Sequence, residues 1–305
     1  MPRPAARPAS TTCCAVWPTE LAPSLAQAAR YRHPFPGWPG RALQRLLDGT
    51  RWTALRRALT RVLPVPPLCS DVRDVIYMTW WVDAANAPTA PPGYRLFTHA
   101  GRTPYTVLNY RHGHFGPAFA GRLRALFPSP LQSNWRWYLL PEDDTATTPV
   151  VLFDRNVIDS VTHAVGARLF SDAMQPHWPA RFDHGRSGDG WRTRIEPGQG
   201  SAPALQAQLA PTAAWPPGWA AGAFADTPQA LAFLACQDAA IAVCGDGRTA
   251  LTHIVLPITV SQVQPLRLVG QPHCPRVAGM GVDPADALCF RVPQVPFRVV
   301  SERLV

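Results

Sequence analysis

The chain has 305 residues, and its hydrophobic share of 47% is typical of a globular protein. Its net charge is +9, and all 29 basic residues are arginine. The absence of lysine excludes imine formation through a lysine side chain. No apolar run approaches the roughly 18 residues of a membrane-spanning helix. Early prolines and the lack of an apolar leader predict a cytoplasmic location.

Partner and cofactor motifs are also missing. The seven cysteines are irregularly spaced without a CxxC pair, which predicts neither a disulfide framework nor a zinc ribbon. The arginines are scattered and no nucleic-acid-binding motif is present, so we expect neither a nucleic-acid nor a membrane partner. There is no P-loop, GxGxxG turn or GxSxG elbow, and no cofactor is predicted. A small-molecule ligand is expected, and a homo-oligomer is an open alternative.

The first part of the chain differs in composition from the rest. Residues 1–37 are rich in Pro, Ala and Thr, which predicts a flexible or loosely docked arm. Residues 38–69 form a helical extension and linker, with two short helices broken at Asp48-Gly49. In the second helix Trp52, Leu55 and Leu59 recur at helical spacing among arginines. This pattern fits a basic amphipathic helix for membranes or partners, but we favour a helix packed on the main domain with a solvated arginine face.

The pattern of residues 70–305 predicts one large domain. Strand-like segments rich in aromatic and β-branched residues alternate with Pro and Gly, as in VIYMTWWVD, NWRWYLL and ALCFRVP. Helices are predicted at 160–170 and at 228–243, the latter opened by the cap Asp226 with Pro228 in its first turn. We therefore predict an α+β fold, mainly antiparallel β, with a few peripheral helices. A domain of this size can enclose a pocket.

Two histidines stand close together in YRHGHFGP, residues 110–117. On a strand His112 and His114 would point to the same face, beside Tyr110. They suit a metal site, for which His163, His177 or His99 would supply a third ligand. The alternative is a hydrogen-bonded pair that lines a polar cavity or its rim. Because an HxH pair is a weak signal alone, we favour the cavity and predict no metal.

The segment LQSNWRWYL, residues 131–139, predicts a strand with two unlike faces. Its polar face carries Gln132, Asn134, Arg136 and Tyr138, whereas Ser133, Trp135 and Trp137 lie opposite. A polar face with a single cation is typical of a cavity lining, where Arg136 would clamp a carboxylate by two parallel hydrogen bonds. The alternative is a structural ion pair of Arg136 with Asp154 or Glu142.

The segment THAVGARLFSDAMQPHWP, residues 162–179, and the hairpin-like stretch after it resemble the acetoacetate decarboxylase-like superfamily. Gly166-Ala167-Arg168-Leu169 stands near that family's Gly-Arg-Glu element, and Gln175-Pro176-His177-Trp178 stands near its Pro-Lys-Lys element. The segments Ala90-Pro91-Pro92-Gly93 and Asn134-Trp135-Arg136 are similar to the uncharacterised YqjF-like branch. The likeness covers residues 70–298 in element order.

The resemblance implies a conical β-barrel with an internal pocket. It places His177 at the Schiff-base lysine and Arg168 at the family's arginine, while Leu169 replaces the glutamate. A histidine forms no stable imine but can act as a general acid or base. His177 and Arg168 are thus candidate catalytic residues.

Three hypotheses follow. The first is a small-molecule-binding protein with imine-free lyase- or isomerase-type chemistry on a small organic carboxylate, bound by Gln132, Asn134, Arg136, Tyr138, His112 and His114. The second is a non-catalytic module that binds or senses a small apolar ligand. The third is a metal-dependent enzyme built on His112 and His114.

Overall fold

The computed structural model describes residues 24–62, 66–143, 149–220 and 222–305. Within these ranges the fold is dominated by a single fourteen-stranded sheet. The strands are β1 Leu68–Asp83, β2 Tyr94–Leu96, β3 Arg102–Arg111, β4 Gly116–Pro117, β5 Leu131–Pro141, β6 Val150–Ile158, β7 Arg181–Ser187, β8 Gly190–Glu196, β9 Leu205–Pro211, β10 Ala239–Val243, β11 Thr249–Val255, β12 Gln264–Leu268, β13 Leu288–Val292 and β14 Val295–Leu304.

The long strand β1 joins a closed ring to an open wing. Its first residues pair with β14, from Leu68 opposite Val299 to Val72 opposite Val295, and its later residues pair with β13. The order β14-β11-β10-β6-β5-β3-β1 therefore closes on itself, and β13-β12-β9-β8-β7 extends from it. The pairing of β6 with β10 is parallel and the other strand pairs are antiparallel. The predicted α+β, mainly antiparallel fold is confirmed.

Helices lie at the periphery: α1 Leu25–Ala28, α2 Trp38–Leu47, α3 Thr50–Val62, α4 Val161–Phe170, α5 Thr227–Ala235 and α6 Pro275–Ala278. The predicted break between α2 and α3 is confirmed. Asp226 accepts a hydrogen bond from the Gln229 amide and begins α5 as expected. The predicted continuation of α5 to residue 243 is wrong. The helix ends at Ala235, and residues 239–243 form β10, which pairs with β6 and β11.

Each ring strand faces two environments. The outer face of β5 places Trp135 and Trp137 in a core between ring and wing, with Trp80 and Ile195. The inner face belongs to a second core that includes Tyr138 and is closed by Leu234 of α5. The predicted alternation along β5 is therefore confirmed.

Helix α3 turns two of its arginines toward the protein, contrary to the prediction of a solvated arginine face, whereas Arg51 is exposed as predicted. Arg56 and Arg57 are only 5% and 6% exposed and both pair with Asp172. Arg57 also pairs with Asp246 at 2.5 Å. The acidic partners come from distant loops, and they draw the guanidinium groups inward.

The described part of the predicted arm, residues 24–37, packs against the domain. Tyr31 is buried, and its amide donates to the Asp48 carboxylate at 3.0 Å. The rest of the predicted arm, residues 1–23, lies outside the described residues. In the part of the chain described, no helix is both long and apolar enough to span a bilayer.

Candidate ligand-binding site

Two adjacent cavities occupy one end and the interior of the ring. The outer cavity, about 720 Å³, lies between α3, α4 and the strand ends. The inner cavity, about 50 Å³, is lined by residues from all seven ring strands and therefore lies inside the ring. Four residues line both cavities: Gln132, Met174, Phe297 and Val299. We call the two spaces the outer chamber and the inner chamber.

The outer chamber has mainly apolar walls. Helix α3 contributes Trp52 and Leu59, helix α4 contributes Leu169 and Phe170, and the remainder includes Phe115. Among the described lining residues the ionisable side chains are Arg56, His163 and Glu302. Glu302 is engaged, because its carboxylate accepts from the Asp172 amide and the Ser171 hydroxyl, both at 2.5 Å. The volume is that of a typical pocket for a drug-sized molecule.

A directional chain of polar side chains leads into the inner chamber. His112 connects Ser70 and Gln132, with Nδ1 2.8 Å from the Ser70 hydroxyl and Nε2 2.7 Å from Gln132 Oε1. Gln132 Nε2 donates to Asn134 Oδ1 at 2.9 Å, and Asn134 Nδ2 donates to the Tyr110 hydroxyl at 3.3 Å. Because Gln132 Oε1 only accepts, the proton of His112 sits on Nε2.

This series of hydrogen bonds leaves the Tyr110 O–H free to donate. The Tyr110 oxygen accepts from Asn134, so its own hydrogen is available to a group in the inner chamber. Burial raises the pKa of Tyr110, which keeps the phenol protonated. Burial also lowers the pKa of His112 to about 4, so the imidazole is neutral near pH 7. The donor direction is thus fixed at neutral pH.

Arg136 brings a buried positive charge to the inner chamber. It is 3% exposed, and its Nη2 donates to the Leu234 carbonyl at 2.9 Å and to Gln237 Oε1 at 2.8 Å. Its guanidinium carbon lies 5.4 Å from the Tyr77 ring centre and 5.6 Å from that of Tyr138. Burial acts to lower the pKa of Arg136, but the two phenols outweigh it and the pKa is raised.

No carboxylate neutralises Arg136 within the described residues. The predicted alternative pair with Asp154 does not form, because Asp154 is held by Arg276, Arg155 and the Tyr105 hydroxyl. The alternative pair with Glu142 is likewise not formed. The Arg136 Nε and the Tyr77 hydroxyl are both buried without a hydrogen-bond partner. A buried cation beside unpaired donors is costly unless an anion joins it.

Some of the predicted binding residues line the inner chamber, and others contact those that do. Gln132, Asn134 and Arg136 line the inner chamber, and His112 supports Gln132 from behind. Tyr138 packs beside Arg136 and donates to the Leu234 carbonyl at 3.0 Å.

His114 lies outside the lining of both chambers. The prediction that it shares a strand face with His112 is wrong, because β3 ends at Arg111 and His114 has a φ of +52°.

His177 and Arg168 also lie outside the lining of both chambers and hold the N-terminal segment. His177 Nδ1 is 2.7 Å from the Ser201 hydroxyl, which accepts from the Arg32 amide at 2.8 Å. Arg168 donates to the carbonyls of Pro176 and Ala29, and its guanidinium lies over the Tyr31 ring. Their catalytic assignment stays a prediction.

Sequence reasoning missed several lining residues. Tyr77 sits within an apolar strand, and its alternation with Val75 is a signal that places both on the ring interior. Trp52 and Leu59 gave no such signal, because their contribution depends on how α3 docks. No set of three or more His, Cys, Asp or Glu side chains suited to a metal ion occurs among the described residues. The alternative metal centre on His112 and His114 therefore finds no ligand set there.

No protein-family description matches the chain, and no curated protein matches it. Solved structures do match. The enduracididine biosynthesis enzyme MppR aligns with a TM-score of 0.52 and 13% identity, covering 79% of this chain and 88% of MppR. Acetoacetate decarboxylase from Legionella pneumophila aligns with a TM-score of 0.52 and 11% identity, covering 79% of this chain and 88% of that one.

The chain has an acetoacetate decarboxylase-like fold. At these identities the likeness shows the fold alone. MppR has also been solved in complex with pyruvate, and that structure aligns with a TM-score of 0.51 and 11% identity over 79% of this chain and 90% of MppR. The likeness of fold to acetoacetate decarboxylase-like proteins, predicted from residues 162–179 and their surroundings, is thereby confirmed, and the conical barrel stays a prediction. The assignment to the YqjF-like branch stays a prediction.

Proposed function

We propose that this protein binds an amphipathic organic anion, with a carboxylate head in the inner chamber and an apolar body in the outer chamber. In this proposal the closed ring is the conical β-barrel of the acetoacetate decarboxylase-like fold. The observation that carries the proposal is Arg136, a buried guanidinium without a carboxylate partner among the described residues. An anionic ligand would supply the missing negative charge.

The neighbours of Arg136 support an anion rather than a neutral head. Among the residues that line the inner chamber, Tyr110 keeps its hydroxyl hydrogen free, and the Tyr77 hydroxyl and the Arg136 Nε are buried donors without a hydrogen-bond acceptor. The Thr252 hydroxyl, which also lines it, has no partner. A carboxylate offers about four lone-pair positions to such donors. A space of about 50 Å³ holds a few water-sized groups, which is the size of this head.

The outer chamber selects the rest of the ligand. Its aromatic and aliphatic walls favour an apolar body, and Gln132 marks the point where the polar and apolar spaces meet. The ligand class is therefore a carboxylic acid with a hydrophobic body larger than that of a short-chain acid.

A second candidate, imine-free acid–base catalysis, is favoured by His163. This side chain lines the outer chamber, and burial lowers its pKa, so the imidazole is neutral near pH 7, the form that a general base requires. Its Nδ1 lies 2.8 Å from the Ser160 hydroxyl, which orients the ring. The phenol and guanidinium donors of the inner chamber would stabilise a developing oxyanion. With no lysine in the chain, an imine through a lysine is excluded.

Thermal-shift measurements with carboxylic acids of increasing apolar length, each beside its alcohol, test the proposal. At one hundred times the dissociation constant a ligand adds ~2.7 kcal/mol to the free energy of unfolding. We expect carboxylate-specific shifts that Arg136→Gln abolishes. Arg186→Gln is the matched control, because Arg186 also lies over an aromatic ring, that of Trp191, but outside both chambers.

Two outcomes count against the proposal. Equal shifts with acids and alcohols, unchanged in Arg136→Gln, would assign the chambers to the apolar-ligand module. The absence of any shift across the series would contradict ligand binding of this class.

A further inference from the structure

Exposed hydrophobic side chains lie on segments that line or adjoin the outer chamber. We define the apolar rim as Leu59, Val62, Phe119, Leu123, Leu126 and Phe170. Leu59 and Phe170 line the chamber and are still 48% and 57% exposed. The other members lie on segments that adjoin lining residues, since Val62 follows Thr60 and residues 118–126 connect Pro117 to Phe127. The rim thus combines two residues of the chamber wall with residues next to that wall along the chain.

The segment Ala118–Leu126 presents its apolar side chains outward. Phe119, Leu123 and Leu126 are 80%, 66% and 83% exposed. The segment is folded rather than extended, with two short 3₁₀ turns that meet at Gly121, whose φ is +49°. Several large apolar side chains that one short segment exposes to water mark an interaction site.

The two longer rim segments carry only positive charges. Helix α3 and residues 118–127 contain six arginines and no acidic residue. Arg56 and Arg57 are used by Asp172, and Arg124 lies 3.8 Å from Asp71. Arg51 and Arg122 are exposed and form no ion pair within the described residues. Two copies of the chain meeting through this face would bring like charges together, whereas an anionic lipid surface would attract them.

We propose that the apolar rim docks this protein on an anionic lipid membrane, with the opening of the outer chamber against the bilayer. The rim side chains enter the interfacial region and Arg122 meets lipid phosphates. The scattered arginines of the sequence alone predicted no membrane partner, because the rim is assembled from three separate segments only in the fold. The proposal goes beyond ligand binding and does not depend on it.

Vesicle flotation with the full chain tests the proposal. Vesicles of phosphatidylcholine mixed with phosphatidylglycerol are compared with phosphatidylcholine alone, at low and high salt. We expect binding to the anionic vesicles that falls with salt, because surface charges are screened. Arg122→Gln should weaken this binding about fivefold, because one basic residue near an anionic surface contributes a binding free energy equivalent to that factor. Phe119→Ser combined with Leu126→Ser should abolish it.

Trp38→Ser is the control, since Trp38 is 75% exposed on α2 and lines neither chamber. It should float like the wild type. No flotation of the wild-type chain, or equal flotation of the rim variant, would overturn the proposal. Light scattering adds a further outcome. A dimer that the rim variant dissociates, without vesicle binding, would assign the rim to a second copy of the chain.

Discussion

Gln132 Oε1 lies 2.7 Å from His112 Nε2, and this contact sets the direction of the whole polar chain toward the ligand site. With Oε1 occupied as an acceptor, the Gln132 amide group must donate to Asn134, and Asn134 must donate to Tyr110. The neutral imidazole of His112 therefore affects the ligand site without touching it. It fixes the orientation of the Gln132 and Asn134 amides and leaves the Tyr110 hydroxyl hydrogen for the ligand.

Replacing Tyr110 with Phe should weaken carboxylate binding while the fold stays intact. The change removes one donor to the ligand and the acceptor of Asn134 Nδ2 but leaves the aromatic ring, so a loss of about 1 kcal/mol in binding, or roughly fivefold in the dissociation constant, is expected. Titration calorimetry with the best acid from the screen measures it. Tyr94→Phe is the matched control, because Tyr94 lines neither chamber. Equal affinity of Tyr110→Phe and the wild type would contradict the assigned donor direction.

Filling the outer chamber from Gly166 should block the ligand. Gly166 lines the chamber within α4, and a Cβ built on it meets no atom within 4 Å. Gly166→Leu should therefore project into the chamber and remove the ligand-induced thermal shift. Gly166→Ala should keep the shift and raise the free energy of unfolding by about 1 kcal/mol through helix propensity. A retained shift in Gly166→Leu would place the ligand elsewhere.

Breaking the contact between α3 and Asp172 should loosen the cover of the outer chamber. Asp172→Asn leaves Arg56 and Arg57 buried without their shared carboxylate, and a loss of about 3 kcal/mol is expected. The opened chamber should also bind an apolar fluorescent dye. Asp246→Asn is the control, because that side chain is 37% exposed and should cost about 1 kcal/mol or less. Similar small losses and no added dye binding in both variants would refute a holding role for Asp172.

Stability should fall as the pH drops from about 6.5 toward 4. Burial lowers the pKa of His112 and of His184 from 6.5 to about 4. Between these values the unfolded chain binds more protons than the folded chain, so acid favours unfolding by about 3 kcal/mol per histidine at the lower limit. Urea unfolding across this range measures the trend.

His184→Gln isolates one of these contributions. His184 bonds to the Thr193 hydroxyl and the Asp74 carbonyl, away from both chambers. The variant should show a shallower decline than the wild type below pH 6.5. Identical pH profiles for the two proteins would show that His184 is not the buried neutral group described.

His177→Ala should destabilise the protein without changing ligand binding. Its ring supports Ser201, which in turn holds the backbone of Arg32. Removing the ring leaves the Ser201 hydroxyl without this partner, which should lower the free energy of unfolding by about 1–3 kcal/mol. Chemical unfolding and the carboxylate thermal shift are measured side by side. A lost shift at unchanged stability would instead support the predicted catalytic or binding role of His177.

The sequence predicted the polar face of β5 well, because alternation along a strand fixes which side chains share a face. Asn134 and Arg136 accordingly lie together in the inner chamber. It misplaced His114, since β3 ends at Arg111 and the backbone bends at Gly113 and His114. A Cβ at Gly113 would lie 2.7 Å from the Asp71 carbonyl oxygen, so this close approach needs glycine, a fact that only the tertiary structure reveals.

Helical patterns were harder to interpret than strand patterns. The apolar run after Ala235 suits either a buried helix or a strand, and pairing with β6 decided for the strand. The basic side of α3 was assigned to solvent because arginine usually faces water. Asp172 and Asp246 reversed that orientation, and their positions far along the chain hold no local signal.

The register that joins Val72 to Val295 also bears on how the protein folds. The ring cannot close until residues near position 295 meet residues near position 72, which makes this pairing one of the most non-local contacts in the chain. Contacts between residues so far apart in sequence form slowly, because the chain loses the entropy of closing a long loop before the contacts stabilise it. The inner chamber, which needs all seven ring strands, should therefore be among the last features to appear during refolding.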